Sequence, residues 1–198
     1  MPVVTLTQHL ASALIALVLL FASNANAAGK AVAGIPFDEQ VHLGDAPLLL
    51  NGAGVRSMFF VKAYTMGLYL PHRTSDAVQA ISQAGPKRVR IVGLRDVNVS
   101  MFLFGLHSSL EKNLSPAELA ALQPRLDQFN AALKAIGEMP KGASFTIDLT
   151  ADNQTRLSLN DKPVGQNISG ADFYQALLRV WLGERPAQEE LKANLLEH

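Results

Sequence analysis

A lone arginine leads into strand material that is otherwise almost wholly apolar. In Leu50–Pro71, LNGAGVRSMFFVKAYTMGLYLP, the cations are Arg56 and Lys62, and Tyr64 follows two residues after the lysine. A guanidinium can grip a carboxylate through two parallel hydrogen bonds. Apolar neighbours would deepen such a site and strengthen the contact. Two readings of Arg56 stay open at this point: a surface arginine at a strand end, and an anion anchor inside a pocket. Tyr64 is either a core aromatic with its hydroxyl satisfied or a second hydrogen-bond donor to the same anion. On one straight strand Met58, Phe60, Lys62 and Tyr64 share the parity of Arg56, and Lys62 is expected to snorkel to a sheet edge. Eight residues of straight strand at about 3.3 Å each would put roughly 26 Å between Arg56 and Tyr64. One carboxylate reaches both only if the chain bends near Ser57-Met58.

Other chemistries find little material. The histidines downstream of residue 28 lie at 42, 72, 107 and 198. None has an i, i+4 partner, so no zinc site is expected. There is no G-x-S-x-G, no P-loop and no complete G-x-G-x-x-G. Gly52-Ala53-Gly54 matches only the start of a dinucleotide fingerprint, and no helix is expected after it. Cysteine is absent, which removes disulfides and thiol nucleophiles. No catalytic residue, metal or cofactor is singled out. Lys+Arg and Asp+Glu both number 17, for a formal net charge of zero. No basic excess exists to follow a phosphate backbone, so a nucleic-acid partner is not expected.

The elements that must hold Arg56 fit in one domain, since 198 residues support a single sizeable core. Ahead of that domain, Leu10–Ala22 is an apolar run, too short to cross a bilayer comfortably, and Ala25-Asn26-Ala27 follows it. No Lys or Arg precedes the run. Residues 1–27 are expected to be a signal peptide cleaved near Ala27, leaving a periplasmic domain of residues 28–198 with no membrane association. A buried N-terminal helix or an uncleaved anchor is the other reading.

Within the domain, AGIPFDEQVHLGDAPLLLNG suggests short strands joined at Gly44-Asp45 and ended by an Asn51-Gly52 turn. Val55–Leu70 reads as one long strand run. Residues 74–85 suggest a short helix started by Thr74 or Ser75 and stopped by Gly85. Residues 87–94 alternate as a strand with a wet face at its start. In residues 98–113, Val99, Phe102, Leu103, Leu106 and Leu110 form one helical face. Met101 and Phe104 make the opposite side apolar too, as in a helix that is buried or covers a cavity. Ser115-Pro116-Ala117-Glu118 is a capping box ahead of Leu119, Leu122, Leu126, Phe129, Leu133 and Ile136, and Pro124 should kink or divide that helix. A meander turning at Asp152-Asn153 and Asn160-Asp161 follows. A helix carrying Phe173, Leu177, Val180 and Trp181 comes next, and Pro186 opens a last short helix. This order lacks βαβ alternation and predicts an α+β domain with an antiparallel sheet under helices.

Leu50–Pro71 also resembles the signature of the chalcone isomerase-like family, in which Gly-Ala-Gly-Val-Arg leads to a strand ending Gly-(Val/Leu)-Tyr-Leu. LEKNLSPAEL, the SFTIDL…TRLSLN hairpin and GADFYQALLRVWLGERP agree in order, so the likeness spans most of residues 31–196. The resemblance implies an open-faced β-sandwich, a long curved antiparallel sheet covered by a layer of helices. The family's enzymes close a chalcone to a flavanone with an arginine, a threonine, a tyrosine and an asparagine. Here the arginine is Arg56. The threonine position falls on Tyr64, with Thr65 one place off. Ser109 and Pro116 stand at the other two. Three of the four therefore depart from the enzymes, whereas an arginine with a tyrosine is the pair that fatty-acid-binding members use. The implied function is an exported binding protein for a small apolar carboxylate or fatty acid. Arg56 and Tyr64 would hold the acid, and Met58, Phe60, Met101, Phe102 and Phe104 would line the tail cavity. An intramolecular lyase acting on a phenolic substrate and an envelope partner without ligand are the alternatives.

Overall fold

The computed structural model describes residues 29–58 and 60–197; the expected leader lies outside them. The strands are β1 (Lys30–Val32), β2 (Ile35–Phe37), β3 (Gln40–Leu43), β4 (Ala46–Met58), β5 (Val61–Leu70), β6 (Lys87–Gly93), β7 (Val97–Asn98), β8 (Glu138–Met139), β9 (Ser144–Leu149), β10 (Gln154–Leu159) and β11 (Lys162–Ser169). The helices are α1 (Ala77–Ser82), α2 (Val99–Asn113), α3 (Pro116–Lys134), α4 (Ala171–Leu182) and α5 (Glu189–Leu196). Seven strands form one antiparallel sheet in the order β11-β10-β9-β6-β5-β4-β3.

Alternation along β5 assigns the two faces. Tyr64, Met66, Leu68 and Leu70 point into the main core, which the sheet shares with the helices. Between them, Tyr69 joins Phe37, Leu43, Leu48, Leu50 and Ala53 in a smaller core on the far side. The α+β expectation and the helix-covered antiparallel sheet hold. The sheet's second face is dressed in part, because the Phe37 ring lies under Arg90 at 5.2 Å. Gly67 makes room for that ring: a Cβ there would sit 2.5 Å from it. On the same face Arg88 grips Asp148 with two bonds of 2.7 and 2.8 Å.

Several sequence expectations change. The run Val55–Leu70 is two strands, not one. β4 ends at Met58 and β5 begins at Val61, its cross-strand partner, and Arg56 lies directly opposite Tyr64. Asn51-Gly52 is not a turn; it lies within β4, at a register shift between Leu50 and Gly52. The Asn51 amide is buried. It donates to the carbonyls of Thr74 at 3.0 Å and Leu195 at 2.7 Å, and it accepts from the Thr74 N–H at 2.7 Å. Gly52 is bare because α5 lies on it: a Cβ would meet the Asn194 carbonyl oxygen at 2.3 Å. Pro124 does not divide α3, which runs unbroken through it. Pro124 is exposed, so water can serve the carbonyl it leaves free, and Leu122, Leu126, Phe129 and Leu133 hold both halves on one core. Asp76, not Thr74 or Ser75, caps α1, which ends at Ser82, before Gly85. Pro186 precedes α5 without opening it.

The start of β6 is not wet either. Lys87 is 1 % exposed, and its ammonium donates to the Gln83 carbonyl. Burial pushes its pKa down to about 8, against about 10.4 for an unfolded lysine. Between those values the unfolded chain binds more protons than the folded one, so stability rises with pH; below about pH 8 the cost of the buried charge is complete. Lys87→Met should therefore raise unfolding free energy near pH 7 by about 2 kcal/mol, and the advantage should shrink as pH climbs from 8 towards 10. Urea unfolding of both proteins at pH 7 and pH 10 checks this.

Candidate functional site

The β4–β5 hairpin resolves the separation that a straight strand would impose. A register shift between Arg56 and Ser57 and the connection that follows fold the chain back, so Arg56 and Tyr64 are cross-strand partners. Both face the helix layer. Tyr64 is 7 % exposed, and its ring meets Phe102 of α2 edge-on, with centroids 6.3 Å apart. Its hydroxyl oxygen accepts from Trp181 Nε1 at 3.1 Å. Among the described residues the Tyr64 O–H proton has no acceptor of its own. Burial raises the Tyr64 pKa, while the Trp181 hydrogen bond and the adjacent Arg56 guanidinium pull it down. The hydroxyl therefore stays a neutral donor through the physiological range.

Arg56 is half-buried. Its Nη1 donates to Gln188 Oε1 at 3.2 Å and to the Ser57 carbonyl. Gln188 Oε1 also accepts from the Ser57 N–H at 2.9 Å, which ties the α4–α5 connection to the end of β4. Among the described residues no carboxylate pairs with Arg56. Beside it runs a groove of about 500 Å³. Arg56 and Met58 form one side; Met101, Phe104, Ser109 and Lys112 of α2 form the other, and Pro186 and Ala187 close one flank. Its two charged lining residues, Arg56 and Lys112, are both cations.

The predicted site residues divide. Arg56, Met58, Met101 and Phe104 meet at the groove. Tyr64 is against Arg56 but beneath the surface. Phe102 is half-buried and packs on the core, not on the groove. Phe60 stands fully in solvent at the hairpin tip. The expected enclosed cavity under an all-apolar α2 is an open groove instead, since Met101 is 62 % and Phe104 78 % exposed. Ser109, at the position of the enzymes' tyrosine, lines the groove; Pro116 begins α3 and is not part of that lining. Sequence reasoning missed Lys112, Gln188 and the role of Trp181. Lys112 had a signal: positions 101, 104, 105, 108 and 112 fall on one helical stripe. Gln188 had none, because its place depends on how α5 docks. Among the described residues no three His, Asp or Glu side chains converge to hold a metal ion.

An antiparallel sheet under a helix layer, with a cation-lined groove where hairpin meets helix, defines the class. A family model described as chalcone isomerase-like matches residues 29–197, and the chain belongs to that family. Among solved structures, a fatty-acid binding protein of Arabidopsis thaliana is similar, with a TM-score of 0.61 and 15 % sequence identity. The match covers 82 % of this chain and 92 % of that one. At that identity the likeness speaks for the fold. No curated protein matches significantly.

Tyr64→Phe should strand the Trp181 N–H in the core and destabilise the fold by about 1–3 kcal/mol. Trp181 is the single tryptophan of the chain, so its emission should shift to the blue at the same time. Urea unfolding followed by tryptophan fluorescence reads both effects, and an unchanged spectrum with unchanged stability would disprove the contact.

Proposed function

We propose that this chain binds an apolar carboxylate of the fatty-acid class at the groove beside Arg56, and that it does so after export to the periplasm. The observation that carries the reading is an arginine with no carboxylate partner, set against a tyrosine hydroxyl whose proton is unspent. A carboxylate in the groove would accept from Arg56, with the buried Tyr64 hydroxyl behind the guanidinium, and charge-assisted bonds of this kind are the strong ones. Met58, Met101 and Phe104 offer apolar surface for the tail. Lys112 adds a second cation to a groove lined by no acid. The family, and a fold neighbour named as a fatty-acid binding protein, support the same reading. A lyase acting on a phenol draws no observation of its own, because Ser109 offers the groove a short hydroxyl where the enzymes carry a ring.

Titration with a medium-chain fatty acid tests the anchor. Arg56→Ala should weaken binding roughly 10- to 150-fold, the loss of one charge-assisted contact. Arg56→Lys should recover only part, since it keeps the charge without the two-pronged geometry. Arg56 is only partly buried and makes no ion pair among the described residues, so both variants should melt within a few degrees of the parent. Equal binding by the parent and Arg56→Ala would make the arginine structural. The export step is read separately: mass analysis of protein from a periplasmic extract should give a chain starting near Ala28, and a cytosolic chain keeping Met1 would refute export.

A further inference from the structure

Among the described residues the exposed large apolar side chains are Met58, Phe60, Val61, Val78, Met101 and Phe104. All but Val78 belong to the β4–β5 tip or to the adjoining first turns of α2. Scattered exposed apolar groups are ordinary, but a cluster from two separate elements is not. Met58, Met101 and Phe104 already meet across one groove. Phe60 projects beyond it at the turn, at 102 % of full exposure. Such a convex, protruding aromatic has no shape for enclosing a small ligand. It suits a soft surface that yields around it.

The hairpin itself carries only positive charge. Residues 46–75, the whole hairpin and its exit, contain no Asp or Glu. Neither do the first three turns of α2, residues 99–110. Lys62 is exposed on β5 opposite Ser57; farther from the tip, Lys112 is exposed next to Glu111 on α2, and Glu138 is exposed opposite Asn98. The neighbouring loop, tied to the hairpin by the Leu94 N–H and the Ala63 carbonyl at 3.0 Å, holds Arg95 and Asp96, which cancel. An aromatic apolar tip on an acid-free hairpin with Arg56 and Lys62 complements an anionic lipid surface: rings settle at the interface, and a lysine reaches up to the headgroups. Among the described residues no helix is long and apolar enough to cross a membrane.

We propose that the β4–β5 tip, with Phe60 foremost and Met101 and Phe104 beside it, docks peripherally on an anionic lipid bilayer. This runs against the expectation that the mature domain ignores membranes. It stands apart from fatty-acid binding, since bilayer contact needs no ligand in the groove. If both hold, the groove opens beside the contact, and a poorly soluble acid can pass between bilayer and Arg56 with little exposure to water.

The chain has no cysteine, so Phe60→Cys and Phe104→Cys in the full chain can each carry a single environment-sensitive fluorophore. Asp152→Cys, in the exposed turn between β9 and β10 at the opposite end of the sheet, is the control. The probe is vesicles of phosphatidylcholine, with and without phosphatidylglycerol. A label reports only its own surroundings, so any insertion by residues 1–28 does not imitate the result. Labels at 60 and 104 should shift to the blue on anionic vesicles and be quenched by brominated lipid, while the label at 152 should not change. Adding Lys62→Glu should demand on the order of tenfold more lipid for the same shift. No shift at 60 on anionic vesicles overturns the proposal. So does a shift already present in buffer, or one growing with protein concentration, because the chain or a second copy then covers the tip. A shift at 60 produced by free fatty acid but not by vesicles gives the tip to the ligand's tail and overturns docking, whereas a fatty-acid shift at 104 alone reports only the groove. Equal shifts on neutral and anionic vesicles overturn the part assigned to the cations.

Discussion

The contact between α5 and the bare backbone of β4 is the constraint on which the site depends. Gly52 and Gly54 form a notch without side chains, and a Cβ at either would strike α5. The buried Asn51 amide next to the notch bonds the last turn of α5 and the segment ahead of α1. Such an amide is costly to bury unless satisfied, and here both its oxygen and its nitrogen are used. The chain leading into α5 carries Gln188, and Gln188 holds both the Ser57 N–H and the Arg56 guanidinium. The orientation of the arginine is therefore set about five residues away along the strand, by the docking of the C-terminal helix.

A second consequence is electrostatic. Arg56 is tied by a neutral amide and a carbonyl, not by a carboxylate. Its charge is directed without being cancelled. Elsewhere the fold does the opposite: Asp148, almost fully buried, is shared by Arg88 and Arg156, and Arg125 is paired with Asp172. Those arginines are neutralised by acids, while Arg56 keeps its field, as Arg90 does over Phe37 with the Ser144 hydroxyl and the Pro36 carbonyl as acceptors. An arrangement of this kind costs stability unless some anion arrives, and neutral partners limit that cost by satisfying the N–H groups.

Much of the architecture was legible in the chain because it rests on local rules. The meander turns at Asn153 and Asn160-Asp161 have the positive φ angles that those residues tolerate. The Ser115–Glu118 capping box is formed as written, and α4 buries the face predicted for it. The errors share another cause. Met58-Phe59-Phe60-Val61 has no Gly, Pro or Asn, so nothing local announces a turn, and the strand was read straight through it. Asn51-Gly52 has the composition of a turn, yet its conformation is decided by a helix more than a hundred residues downstream. In the site, Arg56 was visible as an isolated cation and Tyr64 as a nearby hydroxyl, and the family likeness strengthened the pairing of the two. Phe102 and Phe60 could not be separated from true groove residues, because an apolar letter does not say which of three directions it faces: core, groove or solvent.

The ends of the sheet are built differently from its middle. β3 is four residues long, and β11, the other outermost strand, carries Lys162, Pro163 and a kinked Gly165 with φ of 68°, beside the register shift in its pairing with β10. Proline offers no N–H to a newcomer, and a bent, lysine-bearing border presents no flat row of open hydrogen-bonding groups. A seven-stranded sheet is in principle a template on which further chains can grow. Here a short strand at one border and a bent, proline-bearing strand at the other make a poor template, so crowded copies find little to extend at the outermost strands.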